Sequence, residues 1–279
     1  MNNVSKIVLG TVQFGCHYGI NSAGRPNEEE VRSILQKSAD AGITKLDTSS
    51  AYGDSESVLG ACMPSDVNFH IISKYPKSDM SVREKFMDSL KRLKVLKLYG
   101  YLLHHFELYC NNKAIWNEFI KLKQEGLVEK IGFSLYTTEE LELLLRDNVP
   151  FDLLQVPYNI FDKQFEPYLQ MLKERGVEIH VRSTFLQGLF FMNREKLPKK
   201  LQPFKSYLLQ LDEYAREHQI SVAEVALNHN LHNPAIDGVL IGVDNQSQLI
   251  KNLQSIRNER VEFDIHVHEK ELLNPVNWK

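Results

Sequence analysis

Cysteine is scarce in this chain: 279 residues contain three, Cys16, Cys62 and Cys110, far apart and without a C-x-x-C pair. An odd number at that spacing argues against a disulfide framework or a zinc ribbon and fits a reducing compartment. Long hydrophobic runs are also missing, since no stretch approaches the roughly 18 apolar residues of a membrane-spanning helix. The opening Met1-Asn2-Asn3-Val4-Ser5-Lys6 has neither a basic n-region nor a small-residue cleavage site, so a cytoplasmic location without a membrane partner is expected. Asn3-Val4-Ser5 and Asn245-Gln246-Ser247 match the glycosylation sequon, a coincidence in a chain with no secretory signal. Charge of one sign is lacking too: 33 basic against 36 acidic side chains give a net charge of −3, with no long basic run. A nucleic-acid or anionic-membrane partner therefore lacks its electrostatic footprint.

What is present is a soluble globular composition, 43% hydrophobic and 25% charged, with 14 glycines and 10 prolines dispersed along the chain. That excludes a disordered, collagen-like or repeat-array protein and leaves small-molecule chemistry. Short β-rich runs alternate with longer helical patterns in pairs of roughly 30 residues. The pattern predicts eight strands, at 6–11, 45–48, 69–74, 99–104, 130–134, 153–156, 178–183 and 239–243. Helices are predicted at 28–41, 81–93, 114–125, 138–146, 165–175 and 246–254. Thr137 is placed to start one helix, and Gly42, Gly126 and Gly176 to end three. A stretched seventh unit holds a loop at 198–203 and two further helical patterns, 205–218 and 222–231. Eight βα pairs in about 250 residues is the size of a (β/α)8 TIM barrel, an α/β fold, and no linker divides residues 1–279.

Active sites of such barrels form at the C-terminal ends of the strands, so the residues closing each strand are the candidates. Asp47 lies near the end of the second strand and Tyr52 follows five residues later; Lys74 closes the third strand and His104 the fourth. Singly, each has a structural explanation: a helix cap, a turn before Gly53, a solvated lysine, a rim histidine. Together they supply a proton donor, a cation beside it, a carboxylate holding that cation, and an imidazole to orient a substrate oxygen. That is the set a carbonyl reduction requires.

The segments Gly10-Thr11-Val12-Gln13-Phe14-Gly15, Asp47-Thr48-Ser49-Ser50-Ala51-Tyr52-Gly53, Ser73-Lys74 and Leu103-His104 resemble the aldo-keto reductase superfamily in order and spacing. The resemblance continues through Ile131-Gly132-Phe133-Ser134, Gln155-Val156-Pro157-Tyr158-Asn159, residues 182–189, Leu240-Ile241-Gly242 and the closing residues 274–278. It implies Tyr52 as catalytic acid, Lys74 as its partner, Asp47 holding Lys74, and His104 orienting the carbonyl. A phenol titrates near ~10, so the neighbouring ammonium is expected to bring Tyr52 toward working pH. Period-two alternation sends His105 to the opposite side of the strand, in a structural role.

The resemblance also implies NADPH or NADH lying across the strand ends without a Rossmann unit. The chain indeed has no G-x-G-x-x-G, and its glycine-rich segment at residues 10–16 lacks the Lys-Ser/Thr of a triphosphate loop. Thr11 falls in that segment. Ser134 and Gln155 match the positions that hold the carboxamide, while Leu135 replaces the asparagine usual between them. Arg182 stands where many relatives stack a tyrosine on the nicotinamide. Ser183 through Leu189, including Phe185, Gln187 and Gly188, match the segment that wraps the pyrophosphate. At the adenosine end Gly242 and Asn252 are kept, but Gln248 replaces an arginine frequent in NADPH-preferring relatives, and Asp244 repels a 2′-phosphate. Use of either cofactor with a weakened NADPH preference is expected.

The remaining histidines carry no metal pattern: His229-Asn230-Leu231-His232 and His266-Val267-His268 lack H-E-x-x-H and a carboxylate-cysteine set. The stripe Val222, Val225 and Ala226 has helical spacing and reads as packing against the barrel. Only 27 residues follow Asn252, which implies an open pocket. Residues 13–20 and 182–188 look like those of bacterial members associated with surface-polysaccharide and modified-sugar pathways, implying a sugar or nucleotide-sugar carbonyl as substrate. Two other classes stand beside this reading: a nicotinamide-nucleotide-binding regulatory module with little turnover, and a metal-dependent barrel hydrolase.

Overall fold

The strand segments read as near-continuous apolar runs because both faces of each strand are covered, one by the barrel interior and the other by a helix. A computed structural model describes residues 3–20 and 24–278. Its strands are β1 (Ile7–Gly10), β2 (Lys45–Asp47), β3 (His70–Tyr75), β4 (Leu98–Leu103), β5 (Val128–Ser134), β6 (Leu153–Pro157), β7 (Glu178–Arg182) and β8 (Gly238–Gly242). All pair in parallel, in chain order, and the sheet closes on itself through Ile7↔Val239 to Gly10↔Gly242. The eight predicted strands are thus all present, in a (β/α)8 barrel.

The helices are α1 (Val12–Gly15), α2 (Glu28–Asp40), α3 (Ser55–Cys62), α4 (Val82–Leu93), α5 (Glu107–Asn111), α6 (Ile115–Gln124), α7 (Thr138–Arg146), α8 (Glu166–Glu174), α9 (Lys205–Glu217), α10 (Val222–Leu231) and α11 (Gln246–Gln254). The three that sequence reading missed, α1, α3 and α5, have four, eight and five residues, too few for a helical period to declare itself. The expected loop at 198–203 is instead largely a 3-10 segment, Lys199–Phe204, which runs on directly into α9.

Helix ends follow local chemistry. Asn27 Oδ1 accepts the Glu30 N–H at the start of α2, and Ser81 and Glu84 exchange hydrogen bonds at the start of α4. Gly42, Gly126 and Gly176, with φ of 87°, 74° and 78°, reverse the chain after α2, α6 and α8 as expected.

The main core fills the layer between strands and helices, and Ile72, Leu102 and Leu153 form a smaller cluster inside the barrel. A further cluster joins Phe190, Phe204, Leu208 and Val225 to Val261, Phe263, Val267 and Leu273 of the C-terminal segment. That segment therefore packs beside α9 and α10. The N-terminal end of the barrel is closed by a buried knot around Glu178, which bonds Lys45 (2.8 Å), Lys130 (2.5 Å), Tyr99 (2.5 Å) and His180 (2.7 Å). Against His180, Gly238 is required: a Cβ there would lie 2.4 Å from the imidazole.

Candidate active site

The C-terminal rim is built by strand endings and the turns that follow. After β2 the chain turns with Thr48 N–H bonded to Ile72 O (2.8 Å), while Thr11 N–H bonds Asp47 O (2.9 Å). The Tyr52 turn is pressed onto the end of α1. A Cβ on Gly15 would lie 1.8 Å from Tyr52 O, and one on Gly53, whose φ is +57°, would lie 2.4 Å from Gly15 O. Two glycines thus let the backbones meet and fix where the phenol stands.

Lys74 and Asp47 are both buried. An ammonium out of water is tolerated only when its donors are filled, and Lys74 Nζ fills three: Asp47 Oδ1 (2.5 Å), Thr48 O (2.9 Å) and Tyr52 Oη (3.4 Å). The other carboxylate oxygen, Asp47 Oδ2, accepts Gln155 Nε2–H at 2.8 Å. Because Tyr52 Oη accepts from Lys74, its own proton is left for a group in the cavity. His104 meets Tyr52 edge-on, with ring centroids 5.7 Å apart, and its Nδ1 lies 3.1 Å from Ser49 Oγ. The structure therefore brings Asp47, Tyr52, Lys74 and His104 together.

The electrostatics differ from expectation at Tyr52. Burial, followed by the Asp47 carboxylate, pushes the phenol well above its ordinary value. Lys74 was expected to pull it down, but its charge is largely cancelled by Asp47 2.5 Å away. Burial also lowers Lys74, with Asp47 opposing. Burial, then Lys74, lowers His104 well below the usual imidazole range, so this ring is neutral. His105 departs from expectation as well. β4 ends at Leu103, alternation no longer applies beyond it, and the His104 and His105 rings stack 4.8 Å apart.

A cavity of about 440 Å³ spans the ends of β7, β8, β1 and β2. Its lining includes Thr11, Asp47, Tyr52, Gln155, Arg182 and Ser183, along with Phe185, Gln187, Gly188, Gly242, Gln248 and Asn252. Ser134, expected at the carboxamide, is buried and absent from that lining. Thr11 spends its hydroxyl on Asp47 O (2.9 Å). Arg182 lies 4.1 Å over the Tyr136 ring and bonds Leu135 O (2.9 Å), so one guanidinium face is already covered. Ser183, Leu186, Gln187 and Gly188 all have positive φ, which winds the connection after β7 tightly at the cavity wall. Across the mouth, Ile20 N–H bonds Gln187 O (3.1 Å) and Gln187 Nε2–H bonds Tyr18 Oη (3.1 Å). Among the described residues, none beyond Asn252 lines the cavity.

Sequence reading missed Ser49, Tyr18, Phe191 and Lys251 as site residues. The last three line the cavity, and no spacing signal marks any of them. Gln13 lies in a recognised segment, and its buried Oε1 has no partner while its amide sits where a Gly242 Cβ would fall (2.5 Å). Two cations lining the cavity, Arg182 and Lys251, and a volume in the range of ligand pockets fit an anionic dinucleotide. The histidines considered for metal lie apart from it: His229 stacks on Tyr158 (5.5 Å), and His266 meets His268 edge-on. No described helix is long and apolar enough to cross a membrane.

A closed barrel with this rim defines an enzyme of the (β/α)8 class whose site opens at the strand ends. The family model described as "Aldo/keto reductase family" matches residues 6–268. Among solved structures, an aldo-keto reductase from Bacillus halodurans in its holo form superposes with a TM-score of 0.73 at 20% identity, covering 97% of this chain and 91% of that one. Curated relatives include an uncharacterized oxidoreductase of Bacillus subtilis, 23% identical over 93% of this chain and 89% of its own length. The L-glyceraldehyde 3-phosphate reductase of Escherichia coli is 25% identical over 88% of this chain and 85% of its own length. The L-galactose dehydrogenase of Arabidopsis thaliana is 27% identical over 91% and 84%. The chain belongs to the aldo/keto reductase family, and is an NAD(P)H-dependent oxidoreductase.

Proposed function

We propose that this protein reduces the carbonyl of a sugar or nucleotide sugar to an alcohol, with Tyr52 as proton donor and either NADH or NADPH as reductant. The observation that carries this reading is the filled hydrogen-bond set of Lys74: Tyr52 Oη accepts from the ammonium and keeps its proton for the substrate. When bound, the nicotinamide supplies hydride to the carbonyl carbon. Arg182, Ser183 and the 185–188 turn, with Gln248 and Asn252, are the residues that would hold the dinucleotide. Tyr52, kept protonated by burial, gives its proton to the carbonyl oxygen, whose alkoxide is a far stronger base than a phenolate. Neutral His104 orients that oxygen by hydrogen bonding, and Lys74 stabilises the phenolate left behind.

The substrate class is supported by two relatives that carry sugar-type substrates in their names. A role in surface-polysaccharide or modified-sugar metabolism in the cytoplasm follows from the same reading, in which Cys16, Cys62 and Cys110 stay reduced. The test is Tyr52→Phe with fluorescence titration of NADH and NADPH in parallel. Turnover of keto- and aldo-sugars should fall by about 10²-fold or more while nucleotide binding persists. Undiminished turnover would remove Tyr52 from its role. Efficient reduction of aromatic aldehydes with no activity on any sugar would remove the substrate assignment.

A further inference from the structure

Ser49 lies in the turn between Asp47 and Tyr52 and is buried, so its hydroxyl must find its partners within the protein. A hydroxyl offers one proton and two lone pairs. One lone pair accepts the Ala51 N–H (3.1 Å), inside the turn in which Tyr52 N–H bonds Ser49 O (3.0 Å). Among the described residues its one other partner is His104 Nδ1, at 3.1 Å. Two arrangements fit that distance. If Nδ1 carried the proton of the neutral ring, it would fill the second lone pair and leave the Ser49 O–H buried without an acceptor, the costlier state. If Nδ1 is bare, Ser49 donates to it and every group is paired. The second arrangement puts the ring proton on Nε2. That nitrogen has no partner among the described residues and is not one of their buried orphaned atoms, so it is open to solvent. The ring is held on other sides as well: His105 covers one face at 4.8 Å, Tyr52 meets it edge-on at 5.7 Å, and the His104 backbone N–H bonds Tyr75 O (2.9 Å).

We infer that Ser49 is a positioning residue, which by donating to His104 Nδ1 keeps the imidazole proton on Nε2, ready to bond the carbonyl oxygen that Tyr52 protonates. The inference rests on the carbonyl-reduction reading of Tyr52 and His104. With the proton on Nδ1 instead, His104 would turn a lone pair toward an oxygen that gains negative charge during the reaction, and would repel it. Ser49 acts on both groups through one oxygen: the lone pair bonded to Ala51 steadies the turn that carries the phenol, and the proton sets which nitrogen of the imidazole can donate.

The experiment is nitrogen magnetic resonance of the protein carrying isotope-labelled histidine, at neutral pH, with the His104 signals identified by their absence from His104→Gln. It compares wild type with Ser49→Ala, which removes the hydroxyl, and Ser49→Thr, which keeps it. The same proteins are assayed for reduction of glyceraldehyde, the smallest aldose, and titrated with NADH and NADPH. Wild type should show the His104 proton on Nε2 alone. In Ser49→Ala the two ring nitrogens should move toward each other as the proton is shared, and kcat should fall about three- to tenfold, the worth of one neutral hydrogen bond. Nucleotide affinity should stay within about twofold. Ser49→Thr should restore both the Nε2 proton and most of kcat. A wild-type proton on Nδ1, or one shared between the nitrogens, overturns the inference. So does a folded Ser49→Ala protein with unchanged kcat, or one whose kcat falls while the His104 signals stay as in wild type, which marks a role in the turn alone. A wild type that reduces no carbonyl compound at all overturns the inference together with the reading beneath it; an active wild type with the wrong His104 signals overturns the inference alone.

Discussion

Asparagine at position 47 takes away half of an ion pair whose cation has no solvent exposure, so its cost is set by what Lys74 keeps. Thr48 O at 2.9 Å and Tyr52 Oη at 3.4 Å remain, both neutral. Removing one partner of a buried pair costs about 3–5 kcal/mol. At about 2–4 °C per kcal/mol for a chain of this size, the melting temperature should fall by roughly 6–20 °C. Lys74→Met should be costly as well, leaving Asp47 with Gln155 as its side-chain donor. The double variant carries neither charge, so its loss should fall short of the summed singles by about 2 kcal/mol or more. The pH dependence gives a second arm. Lys74 is held below its ordinary 10.5, so between the folded value and 10.5 the unfolded chain binds more protons, and stability rises with pH across that window. Without the Asp47 charge the folded value drops further and the window opens at lower pH. Asp47→Asn should therefore recover stability on going from neutral to alkaline pH sooner than wild type does. Urea unfolding of the four proteins across that range is the assay. Single variants each within about 1 kcal/mol of wild type, and additive in the double, would refute the reasoning.

Gly15→Ala places a methyl group 1.8 Å from Tyr52 O and 2.5 Å from Ser55 N, so the Tyr52 turn must move. A loss of about 1–3 kcal/mol in unfolding is expected, with kcat falling further than stability alone explains; unchanged kcat in the folded variant would show that the turn does not set the phenol's position. His229, stacked on Tyr158, is held by burial at about 4. As pH falls from 6.5 toward 4 the unfolded chain takes up this proton first, at a cost of up to about 3 kcal/mol of stability. His229→Phe should lack that component, measured as the wild-type-minus-variant difference in unfolding free energy at pH 7 and at pH 4.

The barrel was legible in the sequence because buried parallel strands and amphipathic helices each impose a period, and Thr137 and Gly42 mark ends by local chemistry. The tetrad was legible because each member closes a strand or follows one at fixed distance. What escaped depends on packing between segments remote in sequence. Glu30 reaches Gln246 across 216 positions, and Gly15 meets Gly53 only once two turns have folded against each other. The direction of the Tyr52 shift also escaped. Sequence places a cation next to the phenol, but how fully Asp47 cancels that cation is a matter of ångströms.

The knot at Glu178 decides how this chain can be divided. Its partners come from β2, β4, β5 and β7, so both halves of the barrel contribute: Lys45 and Tyr99 from one, Lys130 and His180 from the other. Cut between β4 and β5, the second fragment would hold the carboxylate with only Lys130 and His180, and the first would carry Lys45 and Tyr99 with no anion to receive them. Neither fragment closes its own floor. Reassembly from two pieces should consequently be mutual, each half acquiring order as the other's charges arrive, and a protein of this kind would tolerate grafting at its open rim far better than splicing at its sealed base.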